Sequence, residues 1–220
     1  MADRWATFDC YGTLVDWNGG IGRDLARIFG DEHVERLLER YHELEGELQG
    51  ERPGASYREV LTSALRRLAR EEEVVLPEGE AGMLARSLPG WPVIPDTQPG
   101  LEEARARGWR LAILSNSDRD LIDASMDAIG VPFDLAVVAG EIGSYKPSHR
   151  HWEVFWEETR ADRARHVHVA QSVYHDIVPA AELGLPSVWI NRRGEPADPR
   201  PARTLDNVAD LADTLDELVA

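Results

Sequence analysis

One cysteine, Cys10, stands in a chain of 220 residues, so no disulfide framework can form within it and stability must come from a packed core. No stretch approaches the roughly 20 apolar residues that a membrane span requires. The opening residues, Met1 to Phe8, lack the apolar run of a secretory signal. Positive charge is scarce as well: 24 Lys and Arg against 40 Asp and Glu leave a formal net charge of -16. A surface of that sign repels nucleic acid and anionic membranes, so neither is an expected partner. These absences point to a cytoplasmic location, and a small anionic ligand would need local positive charge at its site.

What is present is an ordered pattern. Trp5 to Cys10 is a short apolar run halted by Tyr11-Gly12-Thr13, which reads as a buried strand ending in a tight turn with Asp9 at its carboxyl end. Val34, Leu37, Leu38, Tyr41, Leu44 and Leu48 then recur at helical spacing, and Tyr57, Val60, Leu61, Leu65 and Leu68 repeat it. Two amphipathic helices are therefore expected to pack together. The breaker-rich segment Pro89 to Pro95 marks the end of this helical insert. Beyond it, strands at Trp109 to Leu114, Phe133 to Val138, His166 to Ala170 and Pro186 to Ile190 alternate with helical stretches. Alternation with continuous apolar strands implies an α/β fold, a parallel sheet covered on both faces. Arg192 to Arg203, rich in Pro and Arg, reads as a surface loop.

In open parallel sheets the ligand site lies beyond the carboxyl ends of the strands. Asp9, Thr13, Ser115, Asn116, Lys146 and the stretch Gln171 to Asp176 all fall at that edge. A carboxylate at a strand end, facing a lysine from another loop, suits nucleophilic catalysis because the ammonium keeps it ionised. Cys10 points to the opposite face of its strand and reads as core packing. His166 and His168 alternate along one strand and share a side, as zinc ligands do, but no third ligand has suggestive spacing. His149 and His151 read as surface residues near a helix start.

Phe8-Asp9-Cys10-Tyr11-Gly12-Thr13-Leu14-Val15-Asp16, Leu114-Ser115-Asn116, Tyr145-Lys146-Pro147 and the Asp176 segment occur in that order. They resemble the four motifs of the haloacid dehalogenase superfamily, and the resemblance runs from the first strand to Trp189-Ile190-Asn191-Arg192. It implies a Rossmann-like core over residues 1–16 and 92–220 with a helical cap inserted over 17–91. In the superfamily's phosphatases a second aspartate stands where this chain has Tyr11, and a metal-binding acid stands where it has Gln171. An alkoxide leaving group benefits from a general acid whereas a halide needs none, and a neutral amide is a poorer ligand for a hard cation. No metal and no cofactor are expected.

The pattern Asp-x-Tyr-Gly-Thr is similar to the 2-haloacid dehalogenase branch. That resemblance implies hydrolysis of short 2-haloalkanoic acids to 2-hydroxy acids through a covalent aspartyl ester. It casts Asp9 as nucleophile, Thr13 as its hydrogen-bonding support and Lys146 as its counter-charge. Asp176 would position or activate the hydrolytic water, and Tyr11, Ser115 and Asn116 would bind substrate. Arg40, in Arg40-Tyr41-His42-Glu43-Leu44-Glu45, is similar to the cap arginine that meets the substrate carboxylate and the departing halide. Gln171 and His175 stand where water-orienting groups are needed, and Trp152 stands where a tyrosine is typical. A homodimer is the expected assembly if the cap's apolar residues pair. Alternatives are another carbon electrophile on the same scaffold, a magnesium-dependent phosphatase, or a non-catalytic binding protein.

Overall fold

Arg4–Phe8 forms β1, the strand expected to end at Asp9, and it is buried along almost its whole length. The computed structural model describes residues 3–219 except 193 and 197. β1 lies between β2 (Trp109–Ser115) and β4 (His166–Ala170), with β3 (Leu135–Val138) outside β2 and β5 (Ser187–Ile190) and β6 (Arg203–Leu205) outside β4. All five pairings are parallel, giving the order β3-β2-β1-β4-β5-β6. Its strands read as apolar runs because helices cover both faces.

Between β1 and β2 the chain inserts α1 (Trp17–Phe29), α2 (Val34–Glu51), α3 (Tyr57–Glu71) and the short α4 (Met83–Ser87), and returns to the sheet through α5 (Thr97–Ala106). α6 (Arg119–Ile129), α7 (Ala139–Ile142), α8 (Arg150–Thr159), α9 (Val178–Glu182) and α10 (Leu211–Leu218) follow. Phe8, Leu111 and Ile113 pack with α5, α6 and α10 on one face, in a core continuous with that of the inserted helices. Trp5, Ala112 and Leu114 pack with Trp152, Phe155 and Trp156 of α8 on the other. No described helix is long and apolar enough to cross a membrane.

Three features depart from the sequence reading. α1 escapes it because Gly19, Gly20 and Gly22 lower helix propensity. Gly20 is there for contact: a Cβ on it would sit 2.4 Å from the Trp91 ring. Asp16 caps the same helix by accepting from the Gly19 N–H at 2.9 Å. β6 falls inside the stretch expected to be a loop, a three-residue edge strand too short and exposed to leave a pattern. Residues 193 and 197 of that stretch lie outside the described residues. Finally, Val173–Ile177 forms a π-helical turn directly after β4.

The inserted helices are tied down over the sheet edge. Asp118 accepts from the N–H groups of Tyr57 and Arg58, both at 3.0 Å, so a core carboxylate satisfies the open start of α3. Tyr145 donates to the Ala55 carbonyl at 2.8 Å, one residue before the lysine of the site.

Candidate active site

β1 delivers Asp9 to the sheet edge, where its N–H still donates to the Val169 carbonyl at 3.1 Å. The chain then turns at Gly12, whose φ of +89° suits glycine. This turn folds Thr13 back so that its hydroxyl donates to Asp9 Oδ2 at 2.9 Å. The Gln171 N–H donates to that same hydroxyl at 2.9 Å and fixes its direction. Lys146 arrives from the loop after α7 and donates to Asp9 Oδ1 at 2.9 Å, Asp176 Oδ1 at 2.7 Å and the Leu114 carbonyl at 2.8 Å. Three acceptors use all three ammonium hydrogens. The lysine is buried, so the cation is held by geometry as well as charge.

Asp176 is oriented from beneath the sheet. The register pairs Thr7 with His168 and places His166 two residues before it on the same face. Trp156 Nε1 lies 3.0 Å from His166 Nδ1, and an indole can only donate, so the Nε2 of His166 carries the proton. That Nε2 donates to the Thr7 hydroxyl at 2.8 Å, which donates in turn to His168 Nδ1 at 2.8 Å. His168 Nε2 therefore donates to Asp176 Oδ1 at 2.9 Å. Burial holds the His166 pKa well below the ordinary histidine range, in keeping with a neutral ring. The two histidines considered as zinc ligands are thus links in a buried relay to the site.

The two carboxylates are not equivalent. Burial and the charge of Asp176 push the Asp9 pKa up, against the pull of Lys146. Burial acts on Asp176 in the same direction, but Lys146 and His168 outweigh it and hold that carboxyl well below its usual range. Lys146 is pulled down by burial and raised further by its two partners, so it stays charged. Asp9 is therefore the more basic of the two carboxylates. Asp176 is a fixed acceptor whose Oδ2 is buried without a hydrogen-bond partner among the described residues.

These groups open on a cavity of about 250 Å³ lined also by Tyr11, Ser115, Gln171 and His175, and by Trp17, His42, Glu45, Gln49 and Tyr57 of the inserted helices. The Tyr11 ring stacks on Tyr57 with centroids 6.3 Å apart. Its phenol lies 3.1 Å from the Ser125 hydroxyl. Asn116 lines the cavity, but its amide clamps the Lys146 backbone on both sides, accepting from the N–H at 2.6 Å and donating to the carbonyl at 2.9 Å. It positions the lysine rather than standing free for a ligand. His175 has its pKa lowered by burial and lies 3.0 Å from the Ser172 hydroxyl through Nδ1. His151, expected at the surface, is fully buried with Nε2 3.0 Å from the Ser115 carbonyl.

Arg40 is not brought to the site. Its guanidinium donates to Glu71 through Nε and Nη2, both at 2.8 Å, and to Glu43 and Glu47 through Nη1 at 2.8 and 3.2 Å. The reason is helical phase. The buried row of α2 runs through Leu37, Tyr41, Glu45 and Gln49, and Arg40 lies one position beside it. Acidic partners on α2 and α3 hold it on the outer surface. Glu45 and Gln49, which sequence reasoning passed over, take the inward positions. Their signal was an acid and an amide at four-residue spacing within an apolar row.

The donor set does not fit a hard cation. Asp9 and Asp176 already share the Lys146 ammonium, and Gln171 adds a neutral amide. Among the described residues no three His, Cys, Asp or Glu side chains gather as a metal cluster.

Residues 4–184 match the family model described as haloacid dehalogenase-like hydrolase. An (S)-2-haloacid dehalogenase of Pseudomonas sp. strain YL is 27% identical over 207 residues, covering 85% of this chain and 82% of the relative. Haloacetate dehalogenase H-2 of Moraxella sp. strain B is 26% identical over 225 residues, covering 97% and 96%. The solved L-2-haloacid dehalogenase from Xanthobacter autotrophicus with chloropropionic acid covalently bound superimposes with a TM-score of 0.85 at 17% identity, over 97% of this chain and 98% of that one. At that identity the superposition establishes a common fold.

Proposed function

The chain belongs to the haloacid dehalogenase-like hydrolase family, and from that premise we propose that it hydrolyses short 2-haloalkanoic acids through an ester on Asp9. A carboxylate oxygen of Asp9 attacks C2, and the carbon–halogen bonding pair leaves with the halide. Water then adds to the ester carbonyl, the acyl–oxygen bond breaks, and a 2-hydroxy acid departs as Asp9 is regenerated. The net change consumes one water and releases one halide and one proton.

The observation that carries this reading is the single ammonium bonded to Asp9 at 2.9 Å and Asp176 at 2.7 Å at the floor of a small cavity. It keeps the nucleophile ionised and turns Asp176 so that an unpartnered oxygen remains to hold a water. The direction of the Tyr11 phenol, toward Ser125, favours a leaving group that departs as a stable anion. The dehalogenases among the relatives support the same substrate class.

The test is chloride release and 2-hydroxypropionate formation from 2-chloropropionate, with chelator present. Wild type is expected to release chloride and Asp9→Asn to lose on the order of 10³-fold or more. Magnesium-dependent turnover of phosphate esters without chloride release would overturn the reading.

A further inference from the structure

α2 places two polar residues where its neighbours are apolar. Leu37, Tyr41, Glu45 and Gln49 are all buried on one row, and Glu45 is only 6% exposed. A carboxyl in such a position is costly unless paired or protonated. Gln49 Nε2 donates to Glu45 Oε1 at 3.2 Å, whereas Oε2 is buried with no hydrogen-bond partner among the described residues. The residue lines the cavity that holds Asp9 and Lys146. An amide nitrogen can only donate, so Oε1 is an acceptor and the proton of a neutral Glu45 sits on Oε2.

The charges of the site make this donor useful. Asp9 and Asp176 against Lys146 leave one net negative charge on the floor, and the lysine's hydrogens are all engaged. Among the described residues no arginine lines the cavity. An anionic substrate must find its donors elsewhere.

Resting on the dehalogenase reading, we propose that Glu45 anchors the substrate carboxylate as a neutral carboxylic acid, donating an O–H···O hydrogen bond from Oε2. Such a charge-assisted bond is strong. Burial pushes the Glu45 pKa up to about 8, against the pull of the nearby Tyr57 hydroxyl, so the acid is largely neutral at pH 7. Ionising it would set a second unpaired negative charge against the ligand. Ligand binding and Glu45 protonation are therefore linked.

The surroundings isolate this titration. Tyr41 on α2, Tyr57 on α3 and Tyr145 beside Lys146 have their pKa values raised by burial and by neighbouring charges including Glu45. Tyr11 is raised by burial. All four stay neutral below pH 9.5. Lys146 stays charged, Asp176 stays ionised, and burial keeps His175 neutral. His42, stacked on Trp17 with centroids 4.2 Å apart, is retained in the variants below and serves as an internal control.

The experiment is calorimetric binding of 2-hydroxypropionate to the intact protein at pH 7, 8 and 9, in buffers of differing ionisation enthalpy. For wild type the affinity is expected to fall about tenfold between pH 7 and pH 9, with about half a proton taken up per ligand at pH 8. Glu45→Gln, which keeps a donor, should bind with no Glu45-linked proton uptake and a flat profile. Glu45→Leu should bind at least tenfold more weakly at pH 7, with circular dichroism confirming its fold. Flat binding by wild type, no proton uptake, unaltered binding by Glu45→Leu, no binding at any pH, or equal affinity for neutral 2-hydroxypropionamide would each overturn the proposal. Chloride release is read separately. Its absence with pH-linked binding removes the reaction and leaves the anchor, and its presence with flat binding does the reverse.

Discussion

The floor and the roof of the cavity are built on opposite terms. On the floor, Asp9 and Thr13 follow β1, Asp176 lies in the turn after β4 and Lys146 comes from the loop after α7, and apart from Asp176 Oδ2 their polar atoms are hydrogen-bonded to one another or to the backbone. On the roof, α2 carries Glu45, one oxygen of which is buried without a hydrogen-bond partner among the described residues, and Gln49 bonded to it at 3.2 Å. A saturated network is rigid and fixes where electrons move. An unsaturated one waits for a ligand. On the proposed reading, chemistry falls to the sheet and selection of substrate to the insert.

The largest effect expected is from Lys146→Met. It strands two buried carboxylates, so activity should fall by on the order of 10³-fold and stability by roughly 3–5 kcal/mol. Denaturant melts and chloride release measure both, and a stable, active variant would dissolve the distinction between the two regions. Thr7→Val cuts the relay on both sides while keeping the side chain's shape. A loss of roughly 1–3 kcal/mol of orientation, about ten- to a hundredfold, is expected in kcat with KM unchanged, and Thr7→Ser should restore it. An unchanged kcat would reduce the relay to core packing. Because burial raises the Asp9 pKa, the acid limb of kcat/KM should lie above the ordinary aspartate value of 3.8, with activity lost as pH falls through it. A limb at or below that value would mean that Lys146 outweighs burial. The smallest effect belongs to Arg40→Ala, for which kcat/KM should stay within about twofold, since its partners are surface glutamates. A large rise in KM would move the substrate anchor from Glu45 to Arg40.

The floor was the more legible region because strand ends announce themselves. Apolar runs stop at Asp9 and Ser115, and parallel topology brings such stops to one edge whatever the loops between them do. The roof depended on helical phase, where one position separates Arg40, held outside by Glu71, from Tyr41 and the inward row that ends in Glu45 and Gln49. α1 was hidden by its glycines, of which Gly20 packs against Trp91, a partner some 70 residues away. The relay was hidden for a related reason. Thr7, His166 and His168 meet only through the register of β1 on β4, which no local spacing encodes.

The most direct test of the central claim is a single turnover of 2-chloropropionate in H₂¹⁸O with enzyme in excess, followed by mass analysis of the peptide that carries Asp9. Attack of water on an Asp9 ester predicts ¹⁸O in the Asp9 carboxylate and none in the first 2-hydroxypropionate released. Label in that product with an unlabelled Asp9 would mean that water strikes C2 directly, and the covalent account would be wrong.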